Sequence, residues 1–130
     1  MARWALALAA LAILAGCESQ PVREIQQAFS QVFEHKGEPA LAKGLQQYDD
    51  GRYAQSARNL QLALEQGLSK PDRVKAHKYL AFIHCASGRE SPCRDDFRAA
   101  LDIDPSMQLA TAEAGHPIWC PVFRSVKAGR

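Results

Sequence analysis

The stretch AHKYLAFIHCASGRESPCRDDFRAALDIDP, residues 76–105, decides the fold. Its apolar residues do not alternate, as they would in a half-buried strand. Val74, Tyr79, Leu80 and Ile83 recur at helical spacing, and the pattern stops at Gly88. Ser91-Pro92 then restarts the chain as cap and first helical residue, with Asp95 and Asp96 near the positive end of the new helix. Phe97 and Leu101 form the buried face of that second helix, and Pro105 lies just past its end. Ala81, Cys93 and Ala100 are small where two antiparallel helices must approach closely, and Phe97 is large enough to fill the wedge between them. The segment reads as one helical hairpin.

Working toward the N-terminus, a second hairpin is legible. Leu41, Leu45 and Tyr48 form a stripe stopped by Asp49-Asp50-Gly51, and Tyr53, Ala57, Leu60 and Leu64 form another that ends at Gly67. Ser69-Lys70-Pro71-Asp72 is a start signal for the helix after it: Ser69 can cap, Pro71 suits the first turn and Asp72 can close a capping box. Gly51-Arg52-Tyr53 and Gly88-Arg89-Glu90 stand 37 positions apart, each between two helices. The second unit resembles a tetratricopeptide repeat, whose period is about 34 residues. Leu80 and Ala81, Gly88, Cys93, Phe97, Ala100 and Pro105 fall on that family's characteristic positions. The first unit matches with Gly44, Gly51, Tyr53, Ser56, Leu60 and Ala63, but has Lys43 in place of a leucine and Leu68 in place of the closing proline. The expected fold is therefore all-α and tetratricopeptide-like, about two helix hairpins plus capping helices. One cap is a helix over about Pro21–His35, with Val22, Ile25, Phe29, Val32 and Phe33 as its buried face. The other is the C-terminal segment, irregular from Pro105 to His116 and helical from about Pro121 to Lys127.

The first residues belong to no domain. Arg3 precedes an apolar run from Trp4 to Leu14, about half of the roughly 20 residues a spanning helix needs. Leu14-Ala15-Gly16-Cys17 resembles the lipobox of bacterial lipoproteins. The resemblance implies a signal peptide over residues 1–16, a lipid-bearing Cys17, a short tether over residues 17–20 and a helical domain over residues 21–130. It also implies an envelope location facing the periplasm. Glu18 is not the Asp that tends to retain such proteins at the inner membrane, which favours the outer one. The formal net charge of the 130-residue chain is +2, so no strong field points to nucleic acid or to an acidic partner.

A narrower resemblance covers nearly the whole chain. Ala76 to Ile83, Gly88-Arg89-Glu90, Cys93-Arg94 and the tail Glu113-Ala114-Gly115-His116-Pro117-Ile118-Trp119 with Pro121-Val122-Phe123-Arg124 resemble small lipoproteins associated with type VI secretion, the TssQ type. Cys120 stands where that pattern suggests a glycine. The resemblance implies an accessory or scaffold role, with a partner in the secretion machinery. Rival readings are a pilotin or assembly lipoprotein of another envelope machine, and a periplasmic redox or metal protein.

Little in the chain points to catalysis. A zinc set can be drawn from His77, His84, Cys85, Cys93 and His116, but no C-x-x-C or H-x-x-x-H spacing supports it. The acidic pairs Asp49-Asp50 and Asp95-Asp96 flank turns or helix starts and are explained by capping and solvation. No enzyme activity, cofactor, metal or small-molecule substrate is expected. In an oxidising compartment Cys85 and Cys93, at the two sides of one hairpin turn, are the preferred disulfide; three buried thiols are the alternative. Carried over from the tetratricopeptide family, the first helix of each unit lines a groove: Leu41, Leu45, Tyr48 and Asp49, then Lys75, Lys78, Phe82 and Cys85. Tyr48, Lys75, Lys78, Phe82 and Trp119 are the candidate partner contacts, suited to an acidic or C-terminal peptide. The protein's own tail is the competing occupant of this groove.

Overall fold

The computed structural model describes residues 20–130. The expected signal peptide, Cys17 and the tether up to residue 19 lie outside the described residues. Among the described residues the protein is all-helical, with no strand: α1 (Gln20–Glu34), α2 (Glu38–Asp49), α3 (Tyr53–Gln66), α4 (Lys70–Ala86), α5 (Glu90–Ile103) and α6 (Cys120–Ala128). The chain divides into two units, residues 1–31 and residues 32–130.

The helix α1, which lies in the first unit up to Gln31, forms where the apolar spacing places it. The expected burial of its face is corrected, however: Val22, Ile25 and Phe29 are 51%, 65% and 63% exposed. Helical periodicity reports that a helix has an apolar face and does not report what covers it. The side chains of Val32 and Phe33 lie outside the described residues.

In the second unit, α2 pairs with α3 and α4 with α5. The pairs are antiparallel, because Gly37 meets Ala63 while Gly44 meets Leu60 and Ser56, so that numbering rises on one helix as it falls on the other. Small residues set these contacts. A Cβ on Gly44 would lie 2.9 Å from Leu60 Cγ, and one on Gly37 would lie 2.1 Å from the Ala63 carbonyl oxygen. The Gly37 N–H also donates to the Gly67 carbonyl at 2.9 Å, so the N-cap residue of α2 is tied to the C-cap residue of α3 and closes the open end of the first hairpin.

The offset of 37 seen in the sequence is an offset of structure. Gly51 and Gly88 turn at φ +74° and +73°, a left-handed conformation that glycine adopts without a Cβ penalty. The Arg52 N–H donates to the Gln47 carbonyl at 2.8 Å, and the Arg89 N–H to the His84 carbonyl at 2.9 Å. The Gly51 and Gly88 N–H groups donate to the Tyr48 and Cys85 carbonyls, both at 3.0 Å. Between helices, Asn59 Nδ2 donates to Gln47 Oε1 at 2.7 Å, and at the same offset Asp96 Oδ2 lies 3.4 Å from His84 Nε2. This shared turn also corrects the expected helix start. Arg89 takes the N-cap position of α5 with no side-chain cap, and Ser91 lies inside the helix, because the chain already turns into the helix at Gly88. The start of α4 follows the sequence signal: Ser69 Oγ accepts from the Asp72 N–H and donates to the Asp72 carboxylate.

Two apolar clusters result. Leu41, Leu60, Ala63, Ala76, Leu80 and Ile83 lie at the centre of one, joining α2, α3 and α4. The other holds Ala81, Phe82, Phe97, Ala100, Leu101, Met107, Phe123 and Val126, and so extends from the second hairpin into the tail and α6. Pinning of the tail is polar as well as apolar: Lys127 Nζ donates to the Met107 carbonyl at 2.8 Å, and Asp104 accepts from the backbone N–H and hydroxyl of Ser106.

Candidate partner-binding groove

The helices α2 and α4 stand side by side, and the residues expected to line a groove lie along them. At the α4 end the tail closes the surface. Trp119 stacks on Phe82 with ring centroids 4.5 Å apart, and its indole N–H donates to the Glu113 carbonyl at 3.1 Å. His116 also stacks on Trp119, with ring centroids 3.4 Å apart and planes 5° from parallel. Lys78 Nζ lies 2.9 Å and 3.0 Å from the two Glu113 carboxylate oxygens. Phe82 is consequently 2% exposed and Lys78 is engaged, which corrects the expectation that both face an open groove. Trp119 is half-buried and covers the groove floor, and Leu41 is itself buried in the first cluster.

What stays open is aromatic. Tyr48 meets Tyr53 at 5.4 Å and Tyr79 at 4.8 Å, both edge to face, and reaches Phe82 at 6.5 Å. Tyr53 is 48% exposed, and Tyr48 and Tyr79 are half-buried. Burial, helped by the neighbouring phenols of Tyr53 and Tyr79 and the carboxylates of Glu113 and Asp49, pushes the Tyr48 hydroxyl up to about 12. Burial and the same two carboxylates raise Tyr79. Both phenols therefore stay protonated and available as hydrogen-bond donors throughout the physiological range. Lys75 is exposed on α4, four residues before Tyr79, with its Nζ 3.6 Å from Asp72, while Lys78 Nζ lies 5.3 Å from the centre of the Tyr79 ring. Tyr53 and Tyr79 were read from the sequence as parts of core stripes. Their role in the strip is visible only once the two hairpins sit together.

The cysteines sort cleanly. Cys85 and Cys93 are joined as a disulfide, with Cα atoms 5.2 Å apart, and Cys120 is buried with its thiol donating to the Ala114 carbonyl. The bond closes a loop with a sequence separation of 8. Chain entropy for so short a loop gives it about 2–3 kcal/mol. Mass mapping of non-reduced protein is expected to recover the Cys85 and Cys93 peptides linked. The Cys85→Ser, Cys93→Ser double variant should lose stability by about that amount in denaturant titration; an unchanged midpoint would contradict it.

A second polar cluster ties α4 to α5. Asp96 lies between two imidazoles, 2.8 Å from His77 Nδ1 and 3.4 Å from His84 Nε2. His84 is buried and its Nδ1 has no hydrogen-bond partner. Burial lowers its pKa, Asp96 opposes that shift and Arg89 adds to it. The neutral ring thus fits this position, and the cluster acts as an inter-helix clamp. Among the described residues no group of three or more His, Cys, Asp or Glu side chains is arranged to hold a metal, and the thiols of Cys85 and Cys93 are consumed in the disulfide.

Compared with protein-family models, curated proteins and solved structures, the chain matches none.

Proposed function

We propose that the protein is a non-catalytic, lipid-anchored scaffold of a type VI secretion apparatus, with a tetratricopeptide-like domain that binds a partner through the Tyr53–Tyr48–Tyr79 strip. The single observation that carries the binding reading is this partly exposed aromatic strip at the junction of two hairpins built on one repeated plan. Tyrosines supply large contact area at low conformational cost, with a hydroxyl for a directed hydrogen bond. The tail's occupation of Phe82 and Lys78 moves the binding surface toward α2 and leaves Lys75, four residues before Tyr79 on α4, as the exposed cation of that helix. The anchor reading rests on the lipobox, and the secretion assignment on the resemblance of the repeat and tail segments.

The anchor is tested by labelling cells with a fatty-acid analogue. The native chain is expected to take up label and stay with membranes, and Cys17→Ser to do neither; unchanged labelling and retention would contradict the anchor. The binding surface is tested with Tyr53→Ala combined with Lys75→Glu. Both side chains are substantially exposed, so thermal stability should stay within about 1 kcal/mol of the parent. Secretion through the type VI apparatus should fall at least about tenfold, the loss from removing one good aromatic contact. Normal secretion with the double variant would contradict the reading. A defect confined to pili or to outer-membrane protein assembly would move the protein to another envelope machine.

A further inference from the structure

The charges around the tyrosine strip bear on what it binds. We propose that the strip takes an arginine side chain of its partner, seated on the rings of Tyr48 and Tyr53 beside the Asp49 carboxylate; this rests on the reading of the strip as the partner-binding surface. The inner end of the strip shows the same arrangement already filled. Lys78 Nζ lies 5.3 Å from the centre of the Tyr79 ring and 5.8 Å from that of Phe82, within reach of a cation–π contact. The Glu113 carboxylate holds that cation in place at 2.9 Å and 3.0 Å. The outer end has the aromatic and acidic parts without the cation. Tyr48 and Tyr53 meet edge to face at 5.4 Å, Tyr53 is 48% exposed, and Asp49 is exposed next to Tyr48 as the last residue of α2.

The cations nearest the strip in the chain each have a carboxylate of their own. Arg52 pairs with Asp50 at 2.6 Å, Lys75 with Asp72 at 3.6 Å and Lys78 with Glu113 at 2.9 Å. Among the described residues Asp49 has no ion pair. It also stands at the negative end of the α2 dipole, whose last turn carries no basic residue. Its charge reaches the rings, since it helps to raise the hydroxyls of both Tyr48 and Tyr79. Negative potential and ring surface therefore coincide. An acidic peptide, the expectation drawn from Lys75 and Lys78, would meet Asp49 with both lysines already engaged by carboxylates. An apolar side chain would desolvate the Asp49 charge without pairing it. Arginine suits both parts at once, because its planar guanidinium stacks on an aromatic face while donating to a carboxylate.

The chain has three tyrosines and they are the strip itself, so a tyrosine-specific isotope label reports on nothing else. The test uses the full mature chain in detergent micelles with its tyrosine rings carbon-13 labelled. The probes are capped pentapeptides with a central arginine, citrulline or glutamate between glycines; citrulline keeps the shape of arginine and lacks its charge. The arginine peptide is expected to shift the Tyr48 and Tyr53 ring resonances with a Kd at least about fivefold below that of the citrulline peptide. The glutamate peptide should bind more weakly than either. Asp49→Asn should bring the preference for arginine over citrulline below about twofold and leave the melting temperature unchanged, because the side chain is exposed. Equal responses to the arginine and citrulline peptides, no response included, would overturn the proposal, as would a preference that survives Asp49→Asn. Secretion through the type VI apparatus separates this failure from failure of the strip. Both Tyr53→Ala and Asp49→Lys are expected to lower it at least about tenfold. A loss with Tyr53→Ala and none with Asp49→Lys would overturn the arginine and leave the strip standing. No loss with either would overturn the strip, and the proposal with it.

Discussion

Phe97→Ala is expected to destabilise the domain by about 3–5 kcal/mol, measured by denaturant titration. Phe97 is fully buried, and its ring meets Phe82 at 6.0 Å and Phe123 at 5.2 Å, both edge to face. It thereby joins α4, α5 and α6 through one side chain. Its buried neighbours Ala81, Ala100 and Cys93 are too small to collapse into the space a missing ring would leave. The disulfide between Cys85 and Cys93 further fixes the spacing of α4 and α5 at the turn end of the hairpin, with Cα atoms 5.2 Å apart. The cavity therefore stays open, which places this substitution at the costly end of the range for large-to-small changes. A loss below about 1 kcal/mol would mean that Phe97 is not the wedge of the second hairpin.

Ending the chain before Ile118 should have an effect of similar or larger size. The deletion removes Trp119 from Phe82, and Phe123 and Val126 from the second cluster. Each of these side chains contributes roughly 1.5–3 kcal/mol by burial, and their loss exposes Phe82, Phe97 and Leu101 to water. The total is a large part of the 5–15 kcal/mol that holds an ordinary domain together. For a domain of this size each kcal/mol is worth about 4–8 °C, so the melting temperature should fall by more than about 15 °C, or cooperative unfolding should disappear. An unchanged melting temperature would contradict the closing role of the tail and would free Trp119 for a partner. Ile118 itself is 47% exposed, and its share of the loss is small.

The hairpins were legible in the sequence because their causes are local. Gly51 and Gly88 mark positions where the chain must turn left-handed, Ser69 and Asp72 cap a helix, and small residues at Gly44 and Ala81 permit close approach. These signals repeat at a fixed offset, so each unit supports the reading of the other. The Cys85–Cys93 pairing followed from the same hairpin geometry. The closure of the groove had no such signal. Glu113, His116 and Trp119 lie in turns with no periodicity, and their contacts with Lys78 and Phe82 span up to 37 positions in sequence. Which occupant fills the α4 end depends on how far the tail can reach, and that is a property of the folded chain. The Asp96 clamp was hidden for a related reason: an acidic pair beside a turn reads as capping until the imidazoles of His77 and His84 are brought across from the other helix. In α1 the pattern specified an apolar face and was silent on its partner, so burial was the wrong inference from a correct periodicity.

We propose that the tyrosine strip of a lipid-anchored helical domain holds a component of a secretion machine. Site-specific photo-crosslinking in cells tests it most directly, with the reactive residue placed at Tyr53 in the strip and, as a control, at exposed Arg58 on the same helix. One discrete adduct is expected from position 53, with a component of the type VI apparatus, lost when Cys17 is replaced by Ser and absent from position 58. No adduct at position 53, or the same adducts from both positions, would contradict it.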